Sequence, residues 1–282
     1  MTHTETIDLP VAVFDSGVGG LTVLHELLVS LPGEDYLYLG DTARFPYGGR
    51  TVDELRAFAG EIAAHLIARG AKLLVIACNS ATAAALDDLR QRLEDSGSAV
   101  PVIGVIKPES VLAAAATKTG RIGLLATTAT TESGAYERAI AAADPHTQVI
   151  AVACPDLAPV IQSGSPFDDQ VVQMVRRYCE PLIEAKVDTV ILGCTHYPLI
   201  RPLLQRTLGP GVRIITSGDA VSRRVEHALS INNILKPAGG PEGRYSFSCT
   251  GDPDAFREVG ERFLQLPLGS VERVILDSGD LT

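Results

Sequence analysis

The sequence predicts an α/β protein of two pseudo-symmetric lobes, each a mostly parallel sheet flanked by helices, with a site in the cleft between them. Three observations carry that expectation. Short continuous apolar runs alternate with longer amphipathic segments along the 282 residues, as in parallel strands buried on both faces and clothed by helices. The alternation starts again near the middle of the chain. And one phrase occurs twice: Leu73-Leu-Val-Ile-Ala-Cys-Asn-Ser80 and Asp188-Thr-Val-Ile-Leu-Gly-Cys-Thr-His196 each run from an apolar strand to a thiol trailed by hydrogen-bonding side chains.

In chain order, Val11 to Phe14 is a short strand, and helix-spaced apolar residues follow from Gly17 to Leu31, stopping at Pro32. Tyr36 to Leu39 is a second strand, and Asp41 to Arg50 is a loop rich in Gly and Pro. Thr51 and Glu54 have capping-box spacing and open a helix that stops at Gly70. Leu73 to Ala77 is a third strand, and an Ala/Leu/Arg helix fades near Gly97. The second half predicts strands at Pro101–Ile103, Ile122–Leu125, Val149–Ala153 and Thr189–Leu192. Its helices are expected near Pro108–Thr117, Ser133–Ala143, Phe167–Ala185 and Leu199–Leu208. Strands at Val212–Thr216 and Arg244–Cys249, a helix at Asp254–Leu264 and a closing strand at Val271–Leu276 complete the chain. Gly97-Ser98 and Leu208-Gly-Pro-Gly211 mark the crossings between lobes. The expected layout is discontinuous: 1–99 with 210–282 in one lobe, 100–209 in the other.

Composition narrows the function classes. Hydrophobic content of 46% with 21% charged residues belongs to a folded protein. The apolar runs fall short of the roughly 20 residues that cross a bilayer. Residues 1–10 lack the basic start and apolar middle of a signal peptide and read as a short tail leading into a strand. Five cysteines with no CxxC pair fit reduced thiols in a cytoplasm better than a disulfide framework, so a cytoplasmic location is expected. A formal charge of −10 argues against nucleic-acid and membrane partners. It leaves open a small anionic substrate, because backbone amides supply local positive potential.

Cys154, Cys179 and Cys249 read as small buried hydrophobes. Cys78 and Cys194 differ, since each sits at a strand-to-helix turn beside polar groups. A helix N-terminus lowers a thiol's pKa, and His196 can serve as base or ion-pair partner. Cys194-x-His196 has no second ligand pair, so no zinc site is expected. The stretch Asp15-Ser-Gly-Val-Gly-Gly-Leu-Thr22 lacks the third glycine of a dinucleotide fingerprint, and Asp15 would repel a pyrophosphate. Its glycines instead allow close approach to a small ligand, with Asp15 either handling a proton or capping a helix, and Ser16 hydrogen-bonding. Gly40-Asp-Thr-Ala-Arg-Phe-Pro-Tyr-Gly48 is either an ordinary surface loop or a wall against substrate. Thr127 and Thr130 would suit a carboxylate, or simply cap a helix. Neither Lys72 nor Lys107 lies in a phosphate cup, so no pyridoxal cofactor is expected. Two opposed thiols suit inversion of a carbon centre: one, as thiolate, removes the proton from one face while the other returns a proton to the opposite face.

Val13-Phe-Asp-Ser-Gly-Val-Gly-Gly-Leu-Thr-Val23, Gly40 to Gly48, Ala77-Cys-Asn-Ser-Ala81 and Leu192-Gly-Cys-Thr-His-Tyr-Pro-Leu199 strongly resemble glutamate racemase, over roughly residues 11 to 250. The resemblance implies cofactor-independent interconversion of L- and D-glutamate, supplying the D form for peptidoglycan, cell-wall biogenesis and cell shape. It implies that Cys78 exchanges the proton of D-glutamate, assisted by Asp15, and Cys194 that of L-glutamate, assisted by His196. Asp15, Ser16, Pro46, Tyr47, Gly48, Asn79, Ser80, Thr127, Thr130, Thr195 and His196 would contact substrate. The expected partner is that small molecule, with no metal, nucleic acid or membrane; the resemblance leaves room for a homodimer. An aspartate racemase of the same superfamily and a non-catalytic amino-acid-binding protein are the alternatives. Three positions depart from the family pattern. Ser80 stands for Thr and keeps the hydroxyl. Gln162 stands for an acid and removes a charge near the second thiol. Lys107 stands for Glu, for which there is no physical account.

Overall fold

The computed structural model describes residues 6–164 and 168–276. The first five residues of the N-terminal tail, and Phe167 as the expected start of a helix, lie outside them. The first lobe is built on β1 (Val11–Asp15), β2 (Tyr36–Gly40), β3 (Leu73–Ile76), β4 (Val102–Gly104), β9 (Tyr245–Cys249) and β10 (Val271–Arg273). The second is built on β5 (Arg121–Ala126), β6 (Gln148–Ala153), β7 (Thr189–Gly193) and β8 (Arg213–Ile215). The sheet orders are β10-β9-β2-β1-β3-β4 and β6-β5-β7-β8, and every pairing is parallel. The segments β2-β1-β3-β4 and β6-β5-β7-β8 therefore repeat one topology, which is the pseudo-symmetry expected of the two halves.

By sheet membership β4 pairs with β3 and β8 with β7. The chain thus crosses between sheets after Gly104 and after Ile215, a few residues beyond the crossings expected at 99/100 and 209/210. The helices are α1 (Leu21–Ser30), α2 (Val52–Ala68), α3 (Asn79–Asp95), α4 (Ile106–Ala116), α5 (Thr128–Glu132) and α6 (Ala135–Ala143). They continue with α7 (Leu157–Ser163), α8 (Asp169–Glu184), α9 (Arg201–Leu208), α10 (Ser217–Ile231) and α11 (Pro253–Leu264). None among the described residues is long and apolar enough to cross a membrane.

Strand burial follows from position. β1, β3 and β7 are central and wholly buried, so both faces demand apolar side chains and the sequence reads as an unbroken run. Successive residues point to opposite faces. Val11 and Val13 accordingly join a core with α1, while Ala12 and Phe14 join a second core beneath α2 and α3. The first of these cores continues into the second lobe through Leu124, Val190 and Leu192. Helix α10 packs on both α1 and α4, so the lobes share a helical seam behind the strand ends. Thr51 and Glu54 form the reciprocal capping box the spacing predicts.

The structure corrects the expected helices at three places. The helix expected at Ser133–Ala143 is α6, starting at Ala135, and a short helix that was not expected, α5, precedes it; the two are broken at Gly134, whose φ of 62° is left-handed and disfavours any side chain. Helix α7 was not expected; at seven residues it is too short for periodicity to reveal. Helix α10 was not expected either, yet Val221, Val225, Ala228 and Leu229 are buried at helical spacing, so its signal was present in the sequence.

Candidate active site

Parallel strands place ligand groups at their carboxyl ends, and register brings those ends together here. In the first sheet Asp15 pairs with Gly40, and Phe14 with Ile76, so the turns after β1, β2 and β3 adjoin. In the second, Ala126 pairs with Gly193, setting Thr127 beside the turn that carries Cys194. The two sets of turns face each other around a cavity of about 200 Å³, below the roughly 300–1,000 Å³ that holds drug-sized ligands. Ser16, Pro46, Tyr47, Gly48, Cys78, Asn79 and Ser80 line it from one lobe; Thr127, Cys194, Thr195 and His196 line it from the other. A larger open groove of about 980 Å³ lies between α8 and α9. It is lined by surface charges of both signs, including Arg176, Arg177, Asp169 and Glu180, and by no cysteine.

Two expected site residues stand one layer back from the cavity. Asp15 is fully buried; its carboxylate accepts from the Gly17 amide at 3.2 Å and from the Thr195 hydroxyl at 3.4 Å across the lobes. Thr130, also fully buried, joins Ser80 and Thr127 in a triangle of hydroxyls with edges of 2.9, 3.0 and 3.3 Å. The Gly40–Gly48 stretch is a wall of the cavity and not a free loop. Tyr47 donates to Asp41, whose carboxylate also takes Arg44 at 2.6 Å and Thr250 at 2.7 Å. Pro155, Ala158 and Pro159, which sequence reasoning did not single out, line the cavity from the start of α7.

Cys78 is the N-cap residue of α3, so its sulfur faces the free amides of the first turn. Burial nevertheless pushes its thiol up to about 12, with the Asp15 charge adding to the rise; the Ala81 amide and the Ser16 hydroxyl and amide pull the other way. Burial also raises Cys194 well above the usual thiol range, opposed by the His196 amide and reinforced by a charge on Cys78. The two thiols line one cavity, and a charge on Cys78 disfavours a charge on Cys194. Asp15 is pushed up to about 6 by burial, held back by the amides of Gly20, Gly17 and Ser16 and by the Thr195 hydroxyl.

His196 is buried between the rings of Phe45 and Phe263, with centroids 5.4 and 5.1 Å away. Burial pushes its pKa down to about 3, so the imidazole is neutral. Its Nε2 lies 2.8 Å from Gln162 Oε1, and its Nδ1 lies 3.9 Å from Cys194 Sγ. With Nε2–H donating to Gln162, the Nδ1 lone pair is left facing the thiol. Gly19 makes this packing possible: a Cβ there would overlap the Thr195 hydroxyl and the His196 ring. The glycines after β1 thus serve a close approach between lobes. The site offers two buried thiols in a cavity fit for a small molecule, with the Asp15 carboxylate one layer behind it and the His196 imidazole beside Cys194.

Comparison with known proteins gives the family. The Asp/Glu/hydantoin racemase family model matches residues 24–225. The chain is 45% identical to the glutamate racemase of Mycobacterium tuberculosis over 265 residues, covering 94% of this chain and 96% of that one. Among solved structures, glutamate racemase isoform RacE1 of Bacillus anthracis superposes with a TM-score of 0.89 at 38% identity, covering 95% of this chain and 98% of that one. The glutamate racemase of Francisella tularensis, in complex with D-glutamate, superposes with a TM-score of 0.89 at 34% identity, covering 97% and 100%. The chain belongs to the Asp/Glu/hydantoin racemase family.

Proposed function

We propose that this member of the family interconverts L- and D-glutamate without a cofactor, with Cys78 and Cys194 as the two bases. One observation carries the reading: of five buried cysteines, the two at matching strand ends of the two lobes line the same cavity. Burial by itself favours the thiol form of both. A bound substrate ammonium brings a positive charge; at about 4 Å and an effective dielectric near 20, the attraction is about 4 kcal/mol, or about 3 pKa units. That attraction works toward a thiolate and against the repulsion of the substrate's own α-carboxylate.

In one direction Cys194, as thiolate, takes the α-proton of L-glutamate while the Cys78 thiol gives its proton to the opposite face. The D enantiomer leaves, and the enzyme holds a Cys194 thiol and a Cys78 thiolate. Starting from that state the reaction runs backwards, with His196, 3.9 Å from the Cys194 sulfur, and Asp15, whose charge acts on Cys78, assisting the two thiols. The hydroxyls of Ser80, Thr127 and Thr130 suit a substrate carboxylate, and Asn79, Thr195 and Ser16 supply further polar contacts. Asp15 acts from behind Ser16 and Thr195. The D-glutamate made would feed peptidoglycan synthesis in the cytoplasm.

Circular dichroism of purified protein with each enantiomer tests the activity, and α-hydrogen exchange in D₂O tests the two bases. Cys78→Ala and Cys194→Ala are each expected to abolish racemisation. Full racemisation in either variant removes that thiol from the mechanism, and a preference for aspartate over glutamate would reassign the substrate.

A further inference from the structure

Behind the cavity lies a buried polar chain that the proton transfers do not use. Glu109 on α4 is fully buried, and its partners are uncharged. Oε2 accepts from the Tyr136 hydroxyl of α6, and Oε1 shares a hydrogen bond with the Ser217 hydroxyl at the start of α10, which can donate or accept. The Asn79 amide, adjoining Cys78, donates from Nδ2 to the Tyr136 oxygen at 2.7 Å and lies 3.4 Å from Glu109 Oε2. Four elements from both halves of the chain meet at this one carboxyl. Asn79 lines the cavity, yet its Oδ1 is buried and has no hydrogen-bond partner among the described residues. A buried acceptor left unpaired is costly, so its orientation calls for a cause.

The cause is the direction of the hydrogen bonds. An ionised carboxyl, or a neutral one whose proton lies on Oε1 toward Ser217, offers Oε2 only as an acceptor. The Tyr136 hydroxyl must then spend its proton on Glu109. Its oxygen is left as an acceptor, which only the amino side of the Asn79 amide can satisfy. The carbonyl side is therefore the one left over. We propose that Glu109 is a positioning residue that, through Tyr136, fixes the amide polarity of Asn79 and leaves its carbonyl oxygen for a hydrogen-bond donor on the bound molecule. Resting on the function proposed above, that donor is the substrate ammonium, and the chain thereby selects an amino acid over the corresponding diacid. Without the acceptor at position 109, the Tyr136 proton is free to turn to Asn79 Oδ1, and the amide can reverse and present N–H groups to a cation.

Glu109→Leu and Tyr136→Phe both break the relay, and Glu109→Gln keeps an acceptor in place. The first two are expected to raise KM for glutamate about 10- to 100-fold, the range of a hydrogen bond to a charged group, with kcat within about threefold. Competitive inhibition by glutarate, which has no ammonium, is expected to change less than about threefold. Glu109→Gln should return KM to within about threefold of wild type. A KM unmoved in both broken variants overturns the proposal, and so does a glutarate inhibition constant that rises in step with KM. Should Glu109→Leu fail to fold, Tyr136→Phe carries the test. A readout without ligand separates this proposal from the function itself: exchange of the Asn79 side-chain amide protons, followed by NMR. Exchange should quicken about tenfold or more in the broken variants and stay slow in Glu109→Gln. Equal exchange in all of them refutes the relay, whereas absence of glutamate racemisation by wild type refutes only the function.

Discussion

Gln162→Glu should turn His196 from a permanently neutral imidazole into a titrating one. The exchange is isosteric and places an ionised oxygen where Gln162 Oε1 now lies, 2.8 Å from His196 Nε2. In the present protein no charge balances the burial that pushes His196 down to about 3. A carboxylate whose charge centre lies about 4 Å from the imidazolium contributes about 4 kcal/mol at an effective dielectric near 20. That is about 3 pKa units, which carries His196 to about 6. Arg262, whose guanidinium donates to the Gln162 backbone carbonyl at 2.8 Å, trims this to the extent that it draws the new carboxylate to itself. The assay is an NMR titration of the His196 ring between about pH 5 and 8. Wild type should show no inflection there, and the variant should titrate near 6, with an imidazolium then favouring the Cys194 thiolate. A variant flat across that window would refute both the contact and the account of His196 as neutral through burial.

Asp15→Asn should remove the acid limb of the pH–rate profile. The wild-type carboxyl, raised to about 6, works ionised, so the rate falls as pH drops through that value; the variant should lose the limb and about 10²- to 10⁴-fold in rate. An acid limb that survives the substitution would assign it to another group. Glu109→Gln should flatten the dependence of stability on pH. Burial raises that carboxyl to about 8, so its contribution is full below the unfolded value near 4.5 and is lost as pH rises through 8, with a ceiling of about 5 kcal/mol. Denaturant titrations of wild type that show no such decline would place the group's pKa near its ordinary value. Lys72→Met should destabilise the fold by about 3–5 kcal/mol, since the Lys72–Glu34 pair at 2.6 Å is wholly interior and removal of one partner leaves an uncompensated charge. A loss below about 1 kcal/mol in urea would show that Glu34 is resolvated or neutralised.

Much of this was legible in the chain itself. Central parallel strands must be apolar on both faces, so β1, β3 and β7 announce themselves as unbroken runs, and the residues that follow each run are those the sheet delivers to its carboxyl edge. Cys78, Asn79, Cys194 and His196 could therefore be placed at strand ends before any coordinates, and all four line the one cavity. Capping chemistry is equally local, and Thr51 with Glu54 formed the pair their spacing predicts. Helix α10 was written in the periodicity of Val221, Val225, Ala228 and Leu229.

Tertiary structure alone decided which groups meet. Asp15 reaches Thr195 across 180 positions, and Glu109 reaches Ser217 across 108. Such contacts follow from sheet order and from the packing of α1, α4 and α10, and no local period encodes either. The sequence likewise marked Asp15 and Thr130 as site residues without saying that they stand one layer behind the cavity. Hydrophobic periodicity reports which face of an element is buried, and a turn reports where an element ends. Neither reports which distant face an element is buried against, and that choice set the environment of both thiols, of His196 and of the carboxyl behind Asn79.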